Sequence, residues 1–446
     1  MAKDASAILD AIDDNRSVWV AGKPAFEPLA ALGEDTTCDV AVVGGGFTGV
    51  STALHLSERA PERSVVLLEA RRIGTGASGR NGGLVLNWVN GVESRDAEHA
   101  KLVYEGTSAG IDTIERIVRE HVPDVPFRRG GTTDVFTNAA RAEEAARDVE
   151  RLRSVGLPLE FLDRDAMKKR LSMEGTFGAI HDPTTGRLDG VAYLRALRGV
   201  LVARGVRVHE DTPVLRVEEG QTITLTTPRA TVRAKAVVLG VDVWAAGLGY
   251  FGSTVVPLHS HVIATEPLSR ERWAEIGWGD TCGFSDDLDR IAYASMTAKG
   301  ELVFGGGSNA SYGYLFGSKT RWDGPAEAGF AAVHQRMLKY LPAAREVKIA
   351  HRWTGAVGAT MSRICTMGVT GAHRNVYFAV GFSGHGVTLA NLAGRVLTDI
   401  YLGADERWRA QPFYDQELHW IPPEPLRWIG YHVVTALTGK SPRKHG

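Results

Sequence analysis

The chain has 446 residues, enough to bury a large core and to form about two domains. Lys and Arg number 51 and Asp and Glu 52, a net charge of −1 that argues against a nucleic-acid partner. Cys38, Cys282 and Cys365 lie far apart and form no C-x-x-C, which fits a reducing, cytoplasmic setting and argues against a thiol–disulfide reductase.

The opening MAKDASAILDAIDD is acidic and lacks an apolar core, so no signal peptide is expected. Residues 1–37 read as an extended arm lying over the body, with Trp19, Phe26 and Leu29 set among prolines. The sequence then turns to CDVAVVGGGFTGVSTALHLSERAPERSVVLLEA, residues 38–70, which has the order strand, glycine turn, helix, strand, acid. Val40 to Val43 suit a strand buried on both faces. Gly44, Gly46 and Gly49 fall at G-x-G-x-x-G spacing. The first glycine makes the turn, the second lets backbone approach a pyrophosphate, and the third lets the helix pack closely. A helix from about Phe47 to Arg59 would point its free N–H groups at that pyrophosphate, with Val43, Phe47 and Thr48 beside it. Glu69 stands twenty residues past Gly49, where a ribose-binding acid belongs, followed by Ala70 and Arg71.

Five glycines fall within residues 74–83, which no regular element tolerates. Gly76, Ala77, Ser78, Gly79, Arg80, Asn81, Gly82 and Gly83 are expected to pass close to a flat or phosphorylated ligand. Helices are expected at 94–120, 139–155, 187–203 and 325–340, and strands at 130–137, 205–208 and 236–239, the last ending at Gly240. Ile223 to Leu225 belong to a hairpin, and residues 258–265 and 301–304 suggest a second, largely antiparallel sheet. Val376 to Val380 read as a buried strand, residues 381–386 as another glycine turn, and residues 387–402 as a helix. Charge-free stretches at 243–265 and 375–394 are broken by glycines, so neither reads as a membrane span. Near the C-terminus, an apolar helix from Trp428 to Leu437 precedes Lys440, Arg443 and Lys444. It is expected to pack on the body, with membrane contact as the lesser alternative.

The fold class expected is α/β: a Rossmann-like nucleotide-binding domain carrying an inserted antiparallel-sheet (α+β) substrate domain. The boundaries expected are an arm at 1–37 and a discontinuous nucleotide-binding unit at 38–120, 181–255 and 351–410. A substrate unit at 121–180 and 256–350 and a C-terminal helix with basic tail at 411–446 complete the chain.

With residues 40–49, 74–83 and 382–394 in view, the chain resembles the FAD-dependent D-amino acid, glycine and sarcosine oxidase family. It is most similar to the γ-glutamylputrescine oxidoreductase branch, which carries a similar G-x-G-A-S-G-R-N-G-G run and G-[FY]-S-G-H-G turn. The resemblance implies the glutathione-reductase type of FAD fold, with a substrate sheet roofing the flavin. It places Glu69 at the adenosine ribose, Val214 at the adenine, residues 77–83 along the flavin, and Gly384, His385, Gly386, Val387 and Thr388 at the pyrimidine end of the ring. No residue aligns with the cysteine or histidine that carries covalent flavin in some members, so FAD is expected to be non-covalent. A small amine or an amino acid is the expected substrate, and no arginine aligns with the one that grips a substrate carboxylate, which argues against the amino acid.

The helix opening at Gly386 would stabilise negative charge at the reduced flavin's N1–C2 edge. His385 is read either as an added donor there or as a structural histidine. His259 and His261 share one strand face and are read as pocket contacts or as structural residues, with no third ligand nearby for a metal. Arg363 either approaches the pocket or is solvated, and Tyr293, Tyr312 and Tyr314 are pocket or core residues. The electron acceptor is expected to be O2, with a quinone or electron-transfer protein as the alternative. An NAD-dependent dehydrogenase would leave the 381–386 turn without work, and a non-catalytic flavin module would fail to react with any amine. The oligomeric state is open.

Overall fold

A computed structural model describes residues 17–21, 23, 26–94 and 96–438. Five parallel strands form the centre of one sheet. In space they run Arg207–His209, Val65–Leu68, Thr36–Val43, Thr231–Leu239, Val376–Val380. The apolar run of the Thr36–Val43 strand is explained by burial on both faces. Val40 and Val42 join one core and Ala41 and Val43 another. A hairpin of Arg216–Glu218 and Ile223–Thr226 extends this sheet along the first half of Thr231–Leu239.

The helices Phe47–Arg59 and Gly386–Leu402 cross almost in backbone contact. A Cβ at Gly394 would lie 2.2 Å from Ser51 Oγ, and Ser51 Oγ donates to the carbonyl of Asn391 at 2.7 Å. This crossing brings both N-termini to one side, at the carboxyl ends of the parallel strands. Open α/β sheets bind ligands there.

A second, largely antiparallel sheet stands over that side. It runs from Tyr312–Gly313 through Val256–Thr265, Leu302–Gly306, Ala292–Met296, Gly283–Asp286, Thr132–Phe136 and Gly178–Asp182 to Glu160–Asp163. Ile349–Ala359 pairs with Val256–Thr265 along its whole length. The boundary expected at 351 therefore falls inside a roof strand, and the return to the parallel sheet comes after Ala359. The helix Glu327–Tyr340 covers the outer face of this sheet, burying Val333 and Met337 against Ile263, Phe284 and Phe304.

The arm reaches the body. Trp19 is buried and donates from Nε1 to the carbonyl of Asn81 at 2.7 Å, and Ser17 Oγ donates to that of Gly79 at 2.6 Å. Residues 1–16, 22, 24 and 25 of the expected arm and the basic tail with Lys440, Arg443 and Lys444 lie outside the described residues. The helix Leu426–Thr438 packs on the body, with the Tyr431 and Tyr314 rings 5.5 Å apart. Ile429, Val433 and Leu437 are exposed on its other side.

Candidate cofactor cleft and active site

The first glycine turn is forced by sterics. Gly44 has φ +103°, and a Cβ there would lie 2.7 Å from the carbonyl oxygen of Gly240. A Cβ at Gly49 would sit 1.9 Å from the carbonyl oxygen of Gly44. Gly46 is the N-cap of the Phe47–Arg59 helix and brings no side chain to cap it, and no acid sits in the first turn. Its positive end is therefore open to an anion. Ser78 Oγ accepts from the Phe47 N–H at 3.0 Å, which ties the second glycine run to the first.

Glu69 is buried at the end of its strand. Oε2 accepts from the Gly45 N–H at 2.6 Å and Oε1 from the Arg71 N–H at 2.9 Å. Burial outweighs those donors and pushes the carboxyl up to about 7. Residues 74–83 form a tight curl with a short 3-10 turn at Ala77–Gly79. Asn81 locks it: Nδ2 donates to the Ser78 carbonyl and Oδ1 accepts from the Gly83 N–H, both at 2.8 Å. Trp353 Nε1 donates to the Arg80 carbonyl at 2.8 Å, so a roof strand holds the curl from above. The glycine at 82 makes room for a roof side chain, since a Cβ there would be 2.8 Å from the Tyr293 ring.

The third turn is also left-handed, with Gly381 at φ +76°, Ser383 at +48° and Gly384 at +98°. Asp242, itself at φ +43°, accepts from the Gly381 N–H at 2.8 Å and from the backbone of Gly358 and Val243. Burial pushes its carboxyl up to about 6. Asn90 Nδ2 donates to the Ser383 carbonyl at 2.8 Å. The helix Gly386–Leu402 starts from this turn with His385 as N-cap, no side-chain cap and no acid in its first turn.

All three turns line one cleft of about 1510 Å³. Val43, Gly44, Gly46, Phe47, Thr48, Glu69, Ala70, Gly76, Ala77, Ser78, Arg80, Asn81, Gly82, Val214, Gly240, Gly384, His385, Gly386 and Val387 face it. Gly49, Arg71, Gly79, Gly83 and Thr388 stand behind the wall. Gly49 and Gly79 allow close backbone crossings, Gly83 admits the Trp19 ring, and Thr388 abuts Gly110 of the long helix Ala97–His121. The cleft exceeds the roughly 300–1,000 Å³ of a site for one small ligand, leaving room for a dinucleotide and a substrate.

The roof corrects the histidine expectation. Val256–Thr265 alternates, but Leu258 and Ser260 face the cleft. His259 and His261 point the other way. His259 Nε2 lies 2.9 Å from the Lys319 carbonyl, and the His261 ring is edge-on to Trp322 and Phe330. Tyr293 and Tyr312 line the cleft, whereas Tyr314 is buried outside it, hydrogen-bonded to Glu424 and Ser318. Tyr293 Oη meets Ser260 Oγ at 3.1 Å, and burial pushes its hydroxyl up to about 12, so it stays neutral. Arg363, at φ +63°, is exposed on the cleft's rim.

Three contributors were missed in the sequence. Asn90 and Asp242 brace the third turn, and Asp242 follows the end of a parallel strand, a position that could have signalled it. Arg290 lies in an irregular loop with no pattern to mark it. It faces the cleft, donating from Nε to Asn309 Oδ1 at 3.0 Å and from Nη2 to Thr435 Oγ1 at 2.8 Å. Among the described residues no carboxylate lies within ion-pair distance of it.

Comparison with known proteins identifies the family and its cofactor. Residues 39–400 match the family described as FAD dependent oxidoreductase. The chain belongs to that family. It is 32% identical over 409 residues to the γ-glutamylputrescine oxidoreductase of Escherichia coli K12, covering 88% of this chain and 90% of that one. It is 23% identical over 385 residues to the glycine oxidase of Geobacillus kaustophilus, covering 84% and 96%. The crystal structure of glycine oxidase from that organism superposes with a TM-score of 0.72 at 20% identity, covering 86% of this chain and 99% of that one. L-proline dehydrogenase from P. horikoshii superposes with a TM-score of 0.70, also at 20% identity, covering 86% and 98%. These two structures share the fold. FAD is therefore the cofactor, and the steric demands at Gly44, Gly46 and Gly49 with the open helix end fit its pyrophosphate. No helix among the described residues is long and apolar enough to cross a membrane.

Proposed function

We propose that this FAD-dependent oxidoreductase oxidises the C–N bond of a small amine that also carries a carboxylate. The observation that carries this reading is Arg290. It opens onto the cleft 6.0 Å from the Tyr431 ring, held by Asn309 and Thr435, with no carboxylate in ion-pair reach among the described residues. A guanidinium so placed accepts a carboxylate in a two-point fork. The relative named γ-glutamylputrescine oxidoreductase and the one named glycine oxidase support a nitrogen-bearing substrate.

Bound FAD supplies a hydride acceptor and passes the electrons on, to O2 with release of hydrogen peroxide in this reading. The chain's own residues bind and orient. Leu258, Val256 and Ile291 give the cleft apolar walls that exclude bulk water. Tyr293 and Ser260 offer neutral hydrogen-bonding groups that fix the amine without trapping it as a cation. The open end of the Gly386–Leu402 helix, with His385 beside it, stabilises negative charge developing in the cleft. The oxidised imine then leaves for hydrolysis by water. FAD is held without a covalent link, and the protein works in the cytoplasm.

An anaerobic screen of amines and amino acids, followed by loss of flavin colour, tests the reading. Amines bearing a carboxylate should bleach the cofactor, and air should restore it with one peroxide per turnover. No bleaching by any amine or amino acid would overturn the proposal. Turnover without peroxide would move the acceptor to a quinone or an electron-transfer protein.

A further inference from the structure

A second cavity, of about 620 Å³, lies at the other ends of the cofactor helices and shares no lining residue with the cleft. His55 and Arg59 face it from the far end of the Phe47–Arg59 helix, roughly 16 Å from the turn that faces the pyrophosphate. Arg116 enters from the Ala97–His121 helix, Arg395 from Gly386–Leu402, and Arg407 from the short turn that follows. Within the lining four arginines meet two carboxylates, Glu58 and Asp399; just outside it Glu120 also pairs with Arg116 at 3.1 Å and Arg204 lies 3.8 Å from Glu58. Arg116 grips Glu58 at 3.2 and 3.3 Å, while Arg59 and Arg407 share Asp399. Arg395 has no carboxylate within ion-pair distance among the described residues and lies 5.8 Å from the Trp408 ring. Burial lowers its affinity for its proton, and the charges of Arg407, Arg59 and Arg116 lower it further, against a partial offset from Asp399.

His55 adds an independent sign. It is only 5% exposed, and its Nε2 has no hydrogen-bond partner. An unmatched buried polar nitrogen is destabilising, and a ligand in the cavity would offset that cost. Burial holds the ring near 4, so it is neutral; Nδ1 lies 3.7 Å from Glu58 Oε2, and in the Nε2–H tautomer the ring donates into the cavity.

We propose that this cavity binds a small phosphate-bearing anion, at a site separate from the cofactor's own pyrophosphate. The surplus of two positive charges matches a dianion, and arginine forks suit tetrahedral oxyanions. The recess between three helices has the volume of a small-molecule site rather than the flat form of a macromolecular one.

Titration calorimetry on the FAD-loaded protein tests this, using inorganic phosphate and pyrophosphate at chloride-balanced ionic strength. Pyrophosphate should bind saturably with Kd below about 1 mM. R395Q and R407Q should each weaken it about tenfold or more, while R119Q, at an exposed site outside the cavity, should not. FAD content and melting temperature check that each variant is folded, and either folded variant suffices. Heat that fails to saturate, or equal binding by folded R395Q or R407Q, would overturn the site. Vesicles of mixed phosphatidylglycerol and phosphatidylcholine should not displace pyrophosphate; displacement would contradict a small-anion ligand.

Discussion

Glu69 serves two demands at once. Its carboxylate holds the glycine turn through the Gly45 and Arg71 N–H groups, and it stands where the adenosine ribose is expected. Burial raises it to about 7, so the folded apoprotein binds this proton more tightly than the unfolded chain does. That stabilisation is complete below the ordinary carboxylate range and is lost as pH rises through about 7. The apoprotein should therefore lose melting temperature between pH 5 and 8, and E69Q apoprotein should lose less. A hydrogen bond to a charged group is worth about 1.5–3 kcal/mol, so E69Q should weaken FAD binding by about 10–100-fold in a fluorescence titration. Equal pH slopes for the two proteins would contradict this account. At Arg290 the proposed fork predicts a split. R290Q should raise KM for carboxylate-bearing amines by about a hundredfold and change the rate with simple amines little. Equal losses on both substrate classes would remove the carboxylate contact from the account. Glu69 was legible in the sequence because the fingerprint spacing fixes it. Arg290 was not, because its position depends on a loop folded against Asn309 and Thr435.

At the scale of elements, the glycine turns were readable because their constraint is local. Gly44, Gly381 and Gly384 take left-handed backbone, and a Cβ at Gly49 would strike the carbonyl of Gly44 in its own turn. Gly49 is the sharpest case, and G49A should cost about 1–3 kcal/mol by overpacking and abolish FAD retention through gel filtration. Roof strands were less legible. Glu160–Asp163, Gly178–Asp182, Gly283–Asp286 and Ile349–Ala359 are short or glycine-broken, and they find their partners far away in sequence. The strand Val256–Thr265 was visible, but its facing was not. The sequence left its histidines as pocket contacts or structural residues, and edge-on contacts with Trp322 and Phe330 hold them on the other side. H259N should thus leave kcat/KM within about twofold, whereas S260L, filling the space beside Tyr293, should raise KM steeply. Steady-state kinetics on the two variants decides between the faces, and a reversed ranking would contradict the facing described.

At the scale of the molecule, the fold class was recoverable because three motifs carried it, and each sits at the carboxyl end of the same parallel sheet. The division into a cofactor unit and a substrate unit remains our proposal, with the crossing from roof to sheet after Ala359. In the proposed reading residues 44–49, 74–83 and 381–387 close around one FAD. Holding it should raise the protein's melting temperature, since a ligand at a hundred times its Kd adds about 2.7 kcal/mol. The most direct measurement is the absorbance spectrum and cofactor content of the purified protein before and after denaturation. We predict a flavin spectrum and one FAD released per chain into the supernatant. A colourless protein that also fails to take up added FAD would contradict the account.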